Sequence, residues 1–281
     1  MGLSAALLQL NSGDDPAANL RVTLKYLQQA AAGGAHIALT PEVTNCVSAS
    51  RAHQQSVLQH EADDMTLAAL RAAARELGIW VLIGSLALKT RDADGRFANR
   101  SFLIAPDGTV AARYDKVHMF DVQVSEAESY RESSGFRPGT RAVTVNTALA
   151  CFGLSVCYDL RFAYLYRALA QAGAEILTVP AAFSPVTGAA HWEILLRARA
   201  IETGCFVLAP AQTGQHAAQH GTPRQTYGHS MAIAPWGEVL LDMGTEPGVG
   251  FVTLDLDQIV GARGRIPALF HDRKIEGPAT P

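Results

Sequence analysis

The sequence predicts an α/β fold: a layered sheet with helices outside it, in one domain built from two related halves. Three observations carry this reading. Short apolar strands alternate with amphipathic helices along most of the 281 residues, the pattern of crossover units in which a helix covers one face of a sheet. The turn signals Asp92-Ala93-Asp94-Gly95 and Pro106-Asp107-Gly108 insert hairpins, so the sheet is mixed rather than purely parallel. No Pro-, Ser- or charge-rich linker divides the chain, and it holds no simple short repeat.

Leu3 to Leu10 reads as a buried strand and Asp15 to Ala32 as a helix. Leu20, Leu24 and Leu27 fall at helical spacing there, and Gly33-Gly34 stops the helix. A strand over His36 to Thr40 completes the first crossover. A helix over Thr66 to Leu77 and a strand over Trp80 to Leu88 follow, then hairpin strands at Ala98 to Ala105 and Val110 to Tyr114. His118 to Thr140 is expected to be irregular. The second half places strands at Ala142 to Asn146, Phe152 to Val156, Glu175 to Val179 and Cys205 to Pro210, with helices at Phe162 to Ala172 and His191 to Thr203. A polar loop from Gln212 to Tyr227 precedes three last strands, Ser230 to Ala234, Glu238 to Asp242 and Val249 to Leu254. The domain is expected over residues 1–272 and a tail over 273–281, disordered from Gly277.

Composition narrows the function. Hydrophobic residues make up 48% and charged residues 17% of the chain, against about 25% charged in typical proteins, so there is material for one sizeable core. A net charge of −3 lacks the basic stripe that a nucleic-acid binder needs. Cysteines 46, 151, 157 and 205 have neither disulfide-scaffold density nor zinc-site spacing. Met1 to Leu10 reads as a strand rather than a signal peptide, and no apolar run reaches the ~18 residues of a membrane span. The expected compartment is the cytoplasm, with no membrane partner.

Three residues stand at strand ends. Cys157, in Ser155-Val156-Cys157-Tyr158-Asp159-Leu160-Arg161-Phe162, lies where a strand gives way to a helix, an elbow that exposes a nucleophile beside free backbone N–H groups. Taken alone it is equally a small buried hydrophobe. Glu42, in Thr40-Pro41-Glu42, follows an apolar strand, where a carboxylate is tuned as a base or simply solvated. Lys116, in Tyr114-Asp115-Lys116-Val117-His118, is one of four lysines against 19 arginines; it is an electrophile or a surface partner of Asp115. Together, a carboxylate, an ammonium and a thiol at strand ends can meet at one edge of a layered sheet, where α/β sheets bind ligands.

These three segments, in this order, resemble the signature motifs of the nitrilase superfamily of carbon–nitrogen hydrolases, over about Leu3 to Asp272. The resemblance implies a four-layer-forming α-β-β-α sandwich that pairs into a homodimer. It also implies a Glu-Lys-Cys set in which Glu42 is the general base, Lys116 stabilises the oxyanion and Cys157 is the nucleophile. A second glutamate braces the lysine in this family; Glu132 matches it, with Glu126 and Glu128 as nearby competitors. No metal or organic cofactor is implied.

Tyr158-Asp159 after the cysteine, in place of Trp-Glu, resembles the amidase branch rather than nitrile-cleaving members. The segments Ala172 to Thr178, His191 to Glu202 and Tyr227-Gly228-His229-Ser230-Met231 are similar to the subgroup containing deaminated glutathione amidase and omega-amidase, and Ala211 to His216 is nearer the first. The implied substrate is a small amide whose acyl part carries a carboxylate next to a ketone. Arg161 is expected to clamp that carboxylate, with Phe183 and Thr187 lining the pocket and the Tyr158 N–H in the oxyanion site. Arg161 paired with Asp159 or capping a helix, and Phe183 as a core aromatic, are the alternatives. The loop Ala217 to Arg224 is longer than the family pattern, which leaves the leaving group open, and His216 and His220, four apart, lack the context of a metal pair.

Overall fold

A computed structural model describes residues 2–124 and 129–277. β1 (Leu3–Gln9) leads into α1 (Pro16–Ala32), which starts where the Asp15 carboxylate accepts the N–H groups of Ala17 and Ala18. β2 (Ile37–Leu39) is followed by α2 (Arg51–Val57) and α3 (Met65–Leu77). α3 is capped by Asp64 and ended by Gly78 in the left-handed conformation. β3 (Trp80–Leu88), β4 (Phe97–Ile104) and β5 (Val110–Asp115) form a meander, and β6 (Asp121–Gln123), β7 (Ser129–Arg131) and β8 (Phe136–Arg137) follow. The second half runs β9 (Val143–Asn146), β10 (Cys151–Leu154), α4 (Ala163–Gln171), β11 (Ile176–Thr178), α5 (Pro185–Thr203) and β12 (Phe206–Ala209). The hairpin β13 (Thr213–Gln215) and β14 (Gln225–Tyr227) precedes β15 (Met231–Ile233), β16 (Val239–Asp242), β17 (Gly248–Leu254) and α6 (Asp257–Arg265).

Two sheets result. One has the order β17-β1-β2-β3-β4-β5, with β8 beside β4, and the other β16-β15-β12-β11-β10-β9. Each centres on three parallel strands, β1-β2-β3 and β10-β11-β12, flanked by antiparallel ones. That is the two-halves reading in structural form.

Alternation along the strands creates the layers. Leu7, Leu39 and Leu82 of the first sheet share one buried cluster with Phe152, Leu154 and Leu208 of the second, whereas Ala6, Leu8 and Val81 face the other way onto Leu20, Leu27 and Leu70 of α1 and α3. On the far side α4 packs on β10 and α5 on β12. The order is helix, sheet, sheet, helix, the expected α-β-β-α sandwich. Because helix or sheet covers both faces, the central strands are apolar along their whole length.

The departures from the sequence reading are local. α5 begins at Pro185, not His191: Ser184 precedes a proline in the first turn, a start signal hidden by Gly188. α2 and α6 were not expected, since neither has an apolar stripe long enough to register. His118 to Thr140 and Gln212 to Tyr227 hold short hairpin strands. The competitor residues Glu126 and Glu128, and the expected disordered end beyond Gly277, lie outside the described residues.

Candidate active site

Glu42, Lys116 and Cys157 come together although they are far apart in the chain. All three are buried and line one cavity of about 400 Å³, with Glu132, Tyr158, Phe183 and Thr187 on its walls. Lys116 Nζ lies 2.9 Å from Glu42 Oε1, and 2.9 and 2.8 Å from the two oxygens of Glu132. The ammonium therefore sits between two carboxylates. Asp115 points the other way, as neighbouring strand residues must, and pairs with Arg100 at 2.5 Å and Arg137 at 3.3 Å; the surface-pair alternative for Lys116 does not describe this structure.

A polar cage fixes the Glu42 turn. Oε2 accepts the Ala182 N–H at 2.9 Å, Oε1 accepts Asn99 Nδ2 at 2.8 Å, and the Glu42 carbonyl accepts Gln212 Nε2 at 3.0 Å. Val43 follows with φ +46°, rare for a β-branched residue, and its N–H donates to Ser85 Oγ at 2.8 Å. Gly84 makes the close approach possible: a Cβ there would lie 2.0 Å from the Thr40 carbonyl oxygen and 2.5 Å from that of Pro41.

Cys157 opens a 3-10 helix, Cys157–Arg161, with φ +51°. A side chain in the left-handed region costs about 1–2 kcal/mol, and the elbow is held there by surrounding bonds. The Cys157 N–H donates to the Pro180 carbonyl at 2.9 Å. The fully buried Asp159 carboxylate accepts the Val156 N–H at 2.9 Å, Tyr114 O–H at 2.7 Å and the His118 N–H at 3.0 Å, and its Oδ1 lies 2.7 Å from His118 Nδ1. Asp159 thus ties the cysteine elbow to the strand end that carries Lys116. The Tyr158 N–H lies in the first turn of the 3-10 helix, where N–H groups lack partners within the helix.

The electrostatics separate acid from base. Burial pushes the Glu42 carboxyl up, but attraction to Lys116, hydrogen bonds from Lys116 and Cys157, and the charge of Arg224 outweigh it and hold the group below its ordinary value. Burial and the Glu42 charge drive the Cys157 thiol well up, against the pull of Lys116. Burial disfavours the Lys116 ammonium, yet Glu132, Glu42 and Cys157 raise it above its ordinary value. At neutral pH the resting site holds a carboxylate, an ammonium and a neutral thiol.

Arg161 is placed differently from expectation. It does not line the cavity: its guanidinium lies 5.9 Å from the Tyr158 ring centroid and 5.7 Å from that of Phe183, with Nη2 3.3 Å from His191 Nδ1. The 3-10 turn carries position 161 onto the α5 side, and Asp159, its alternative partner, is taken by Tyr114 and His118. The arginines that do line the cavity are Arg51, Arg131 and Arg224. Phe183 packs on Trp192 at 4.9 Å between centroids as well as lining the cavity, so it serves the core and the pocket together. His216 is buried with its ring nitrogens 2.7 Å from Ser12 O and from Thr226 Oγ1, and burial lowers its pKa to about 4. Both nitrogens are engaged. Cys46, Cys151 and Cys205 are buried free thiols; burial beside Asp14 pushes Cys46 up to about 12.

Sequence reasoning missed Asn99, Asp159 and Arg224. Asp159 lies inside the cysteine motif, and its spacing of three after Val156 is a capping signal. Asn99 and Arg224 carry no local mark.

Comparison with known proteins agrees with the geometry. The chain is 38% identical over 273 residues to deaminated glutathione amidase of Yersinia enterocolitica, covering 97% of this chain and 93% of that protein. It is 37% identical to the human protein of the same name, over 95% of this chain and 81% of that one. Among solved structures, the NitFhit protein of C. elegans superposes with a TM-score of 0.88 at 32% identity; the match covers 97% of this chain and 65% of that one. Nit3 of Saccharomyces cerevisiae, a member of branch 10 of the nitrilase superfamily, gives 0.82 at 26% over 95% and 94%. The carbon-nitrogen hydrolase family model matches residues 4–263, and the chain belongs to the carbon–nitrogen hydrolase family, within the nitrilase superfamily.

Proposed function

We propose that the protein is a thiol amidohydrolase acting on a small amide that carries a carboxylate, with deaminated glutathione as its substrate. One observation carries the reaction class: a neutral buried Cys157 thiol beside the Glu42 carboxylate, which Lys116 holds in place. Glu42 takes the thiol proton as sulfur attacks the amide carbon. The carbonyl π pair moves onto oxygen, which Lys116 and the Tyr158 N–H stabilise. Collapse breaks the C–N bond, and the amine leaves with the proton from Glu42. Glu42 then deprotonates water, which adds to the thioester; sulfur leaves as thiol and the acid is released. Because Glu42 lies low and Cys157 high, the resting proton stays on sulfur and moves only as the C–S bond forms. Glu132 braces Lys116 throughout, and no metal or organic cofactor enters these steps.

The substrate rests on the relatives named deaminated glutathione amidase, and an amidase fold neighbour from Nesterenkonia sp. AN1, at 26% identity, has acrylamide added to its active-site cysteine. The test is to incubate the protein with deaminated glutathione, 2-oxoglutaramate (an omega-amidase substrate), nitriles and N-carbamoyl amino acids. Release of cysteinylglycine or ammonia is then measured. Turnover of the first, absent in Cys157→Ala with folding intact, supports the proposal; retained turnover in Cys157→Ala refutes the mechanism, and no turnover of any amide supports an inactive binding protein instead. The reading includes a homodimer, since Tyr164, Ile194, Ile201 and Val260 expose apolar side chains on α4, α5 and α6; a monomer in sedimentation at micromolar concentration refutes that part. It assigns the cytoplasm, where the reactive thiol stays reduced.

A further inference from the structure

We propose that Arg224, just before β14, is the residue that receives a substrate carboxylate, and so sets selectivity for charged over neutral amides. The inference rests on the amidase reading and specifies its substrate class. Four cations line the cavity, Lys116, Arg51, Arg131 and Arg224, and three of them are otherwise placed. Lys116 is held by Glu42 and Glu132. Arg51 donates to the carbonyls of Gly135 at 2.8 Å and Gly95 at 2.6 Å, and lies 3.7 Å from the Phe97 ring centroid. Arg131 is exposed at the rim, near Asp121.

Arg224 differs in two respects. Its Nη2 donates to the Ala182 carbonyl at 3.1 Å, while its Nε is buried with no acceptor among the described residues. A desolvated guanidinium donor without a partner is unfavourable and marks where an anionic oxygen belongs. Its position supplies the second argument. The Ala182 peptide that holds Arg224 by its carbonyl holds Glu42 Oε2 by its N–H, at 2.9 Å, and the Arg224 charge is felt at Glu42. A carboxylate bound by the guanidinium edge, through Nε and a second N–H, therefore lies near the reacting bond. The Tyr130 ring, 5.6 Å from the guanidinium carbon, walls that side. The carboxylate comes from either the acyl part or the leaving group, and the experiment separates these.

Binding of 2-oxoglutarate, of cysteinylglycine and of neutral butyramide is measured by calorimetry on the full chain and on Arg224→Gln and Arg224→Lys. Activity on deaminated glutathione and on butyramide is measured beside it. Expected is a loss of roughly 10- to 100-fold in affinity for one of the two carboxylates in Arg224→Gln, the size of a charge-assisted pair. A partial loss is expected in Arg224→Lys, which keeps the charge but not the fork. The ratio of kcat/KM on the charged over the neutral amide falls with it, through KM. Loss for 2-oxoglutarate assigns the acyl carboxylate, and loss for cysteinylglycine assigns that of the leaving group. Unchanged affinity for both carboxylates, or equal losses on charged and neutral amides, overturns the proposal. Failure of the wild-type chain to turn over any amide while the binding difference persists sinks the amidase reading and leaves the carboxylate site standing.

Discussion

Asp159→Asn isolates the bond network that holds the nucleophile. The change is nearly isosteric and falls on a fully buried group, so its effect is one of hydrogen-bond polarity rather than volume. Two donors converge on Oδ2, from Val156 at 2.9 Å and Tyr114 at 2.7 Å; on Oδ1 fall the His118 N–H at 3.0 Å and the His118 ring at 2.7 Å. An asparagine NH2 replaces one of these oxygens. On either side one partner adapts, since the Tyr114 hydroxyl turns to accept or the His118 ring presents its other tautomer. A backbone N–H cannot adapt, so either Val156 or His118 is left facing a donor. One lost bond to a carboxylate and one stranded buried N–H, at ~1–3 kcal/mol each, give about 2–4 kcal/mol. For a chain of this size that lowers Tm by about 5–10 °C. The strained φ of Cys157 then loses part of its support, so kcat falls as well. Thermal unfolding and steady-state kinetics on the deaminated glutathione assay check both effects. A Tm within 2 °C of wild type with kcat unchanged would refute the argument that Asp159 fixes the elbow.

Further predictions follow from the same geometry. Glu42→Gln keeps the hydrogen bonds of the turn but removes the base, and kcat is expected to fall by roughly 10²–10⁴ with little change in Tm; near-normal kcat contradicts the general-base role. The pH profile of kcat/KM is expected to be flat across neutrality. Activity needs Glu42 ionised, and its pKa is lowered from 4.5, so the acid limb lies below that value. Thiol and ammonium are raised from 9.0 and 10.5, so the alkaline limb lies above pH 9. A limb between pH 6 and 8 would show that another group governs catalysis. The lowered Glu42 pKa also means that its contribution to stability is present above its unfolded value and is lost as pH falls through the folded one. Gly84→Ala forces a methyl group against the Thr40 and Pro41 carbonyls and is expected to cost about 1–3 kcal/mol, with kcat reduced because the Glu42 turn shifts; a fully active, equally stable variant counts against the close approach.

Local pattern made most of the fold legible. β1, α1, α3, β3 and the hairpin strands fall within a residue or two of expectation, because each has a clear period and a turn or cap at its end. α2 and α6 were missed because a short helix with little apolar surface is held by its neighbours and not by its own pattern. α5 starts six residues early for a related reason: Pro185 and Gly188 look like breakers, yet the first turn accepts a proline and the close contact with Tyr227 leaves no room for a side chain at 188.

The sequence by itself determined the α/β class, the two halves and the three motif residues, because strand periodicity and strand-end chemistry are written locally. Only the tertiary structure decided which charges meet. The surface-pair alternative for Lys116 failed because strand alternation turns Asp115 to the opposite side, onto Arg100 and Arg137. The 3-10 turn carries Arg161 away from the cavity, while a loop distant in sequence brings Arg224 into it. Charge pairing depends on distances of a few ångströms between segments 60 to 180 residues apart, and no local pattern encodes those.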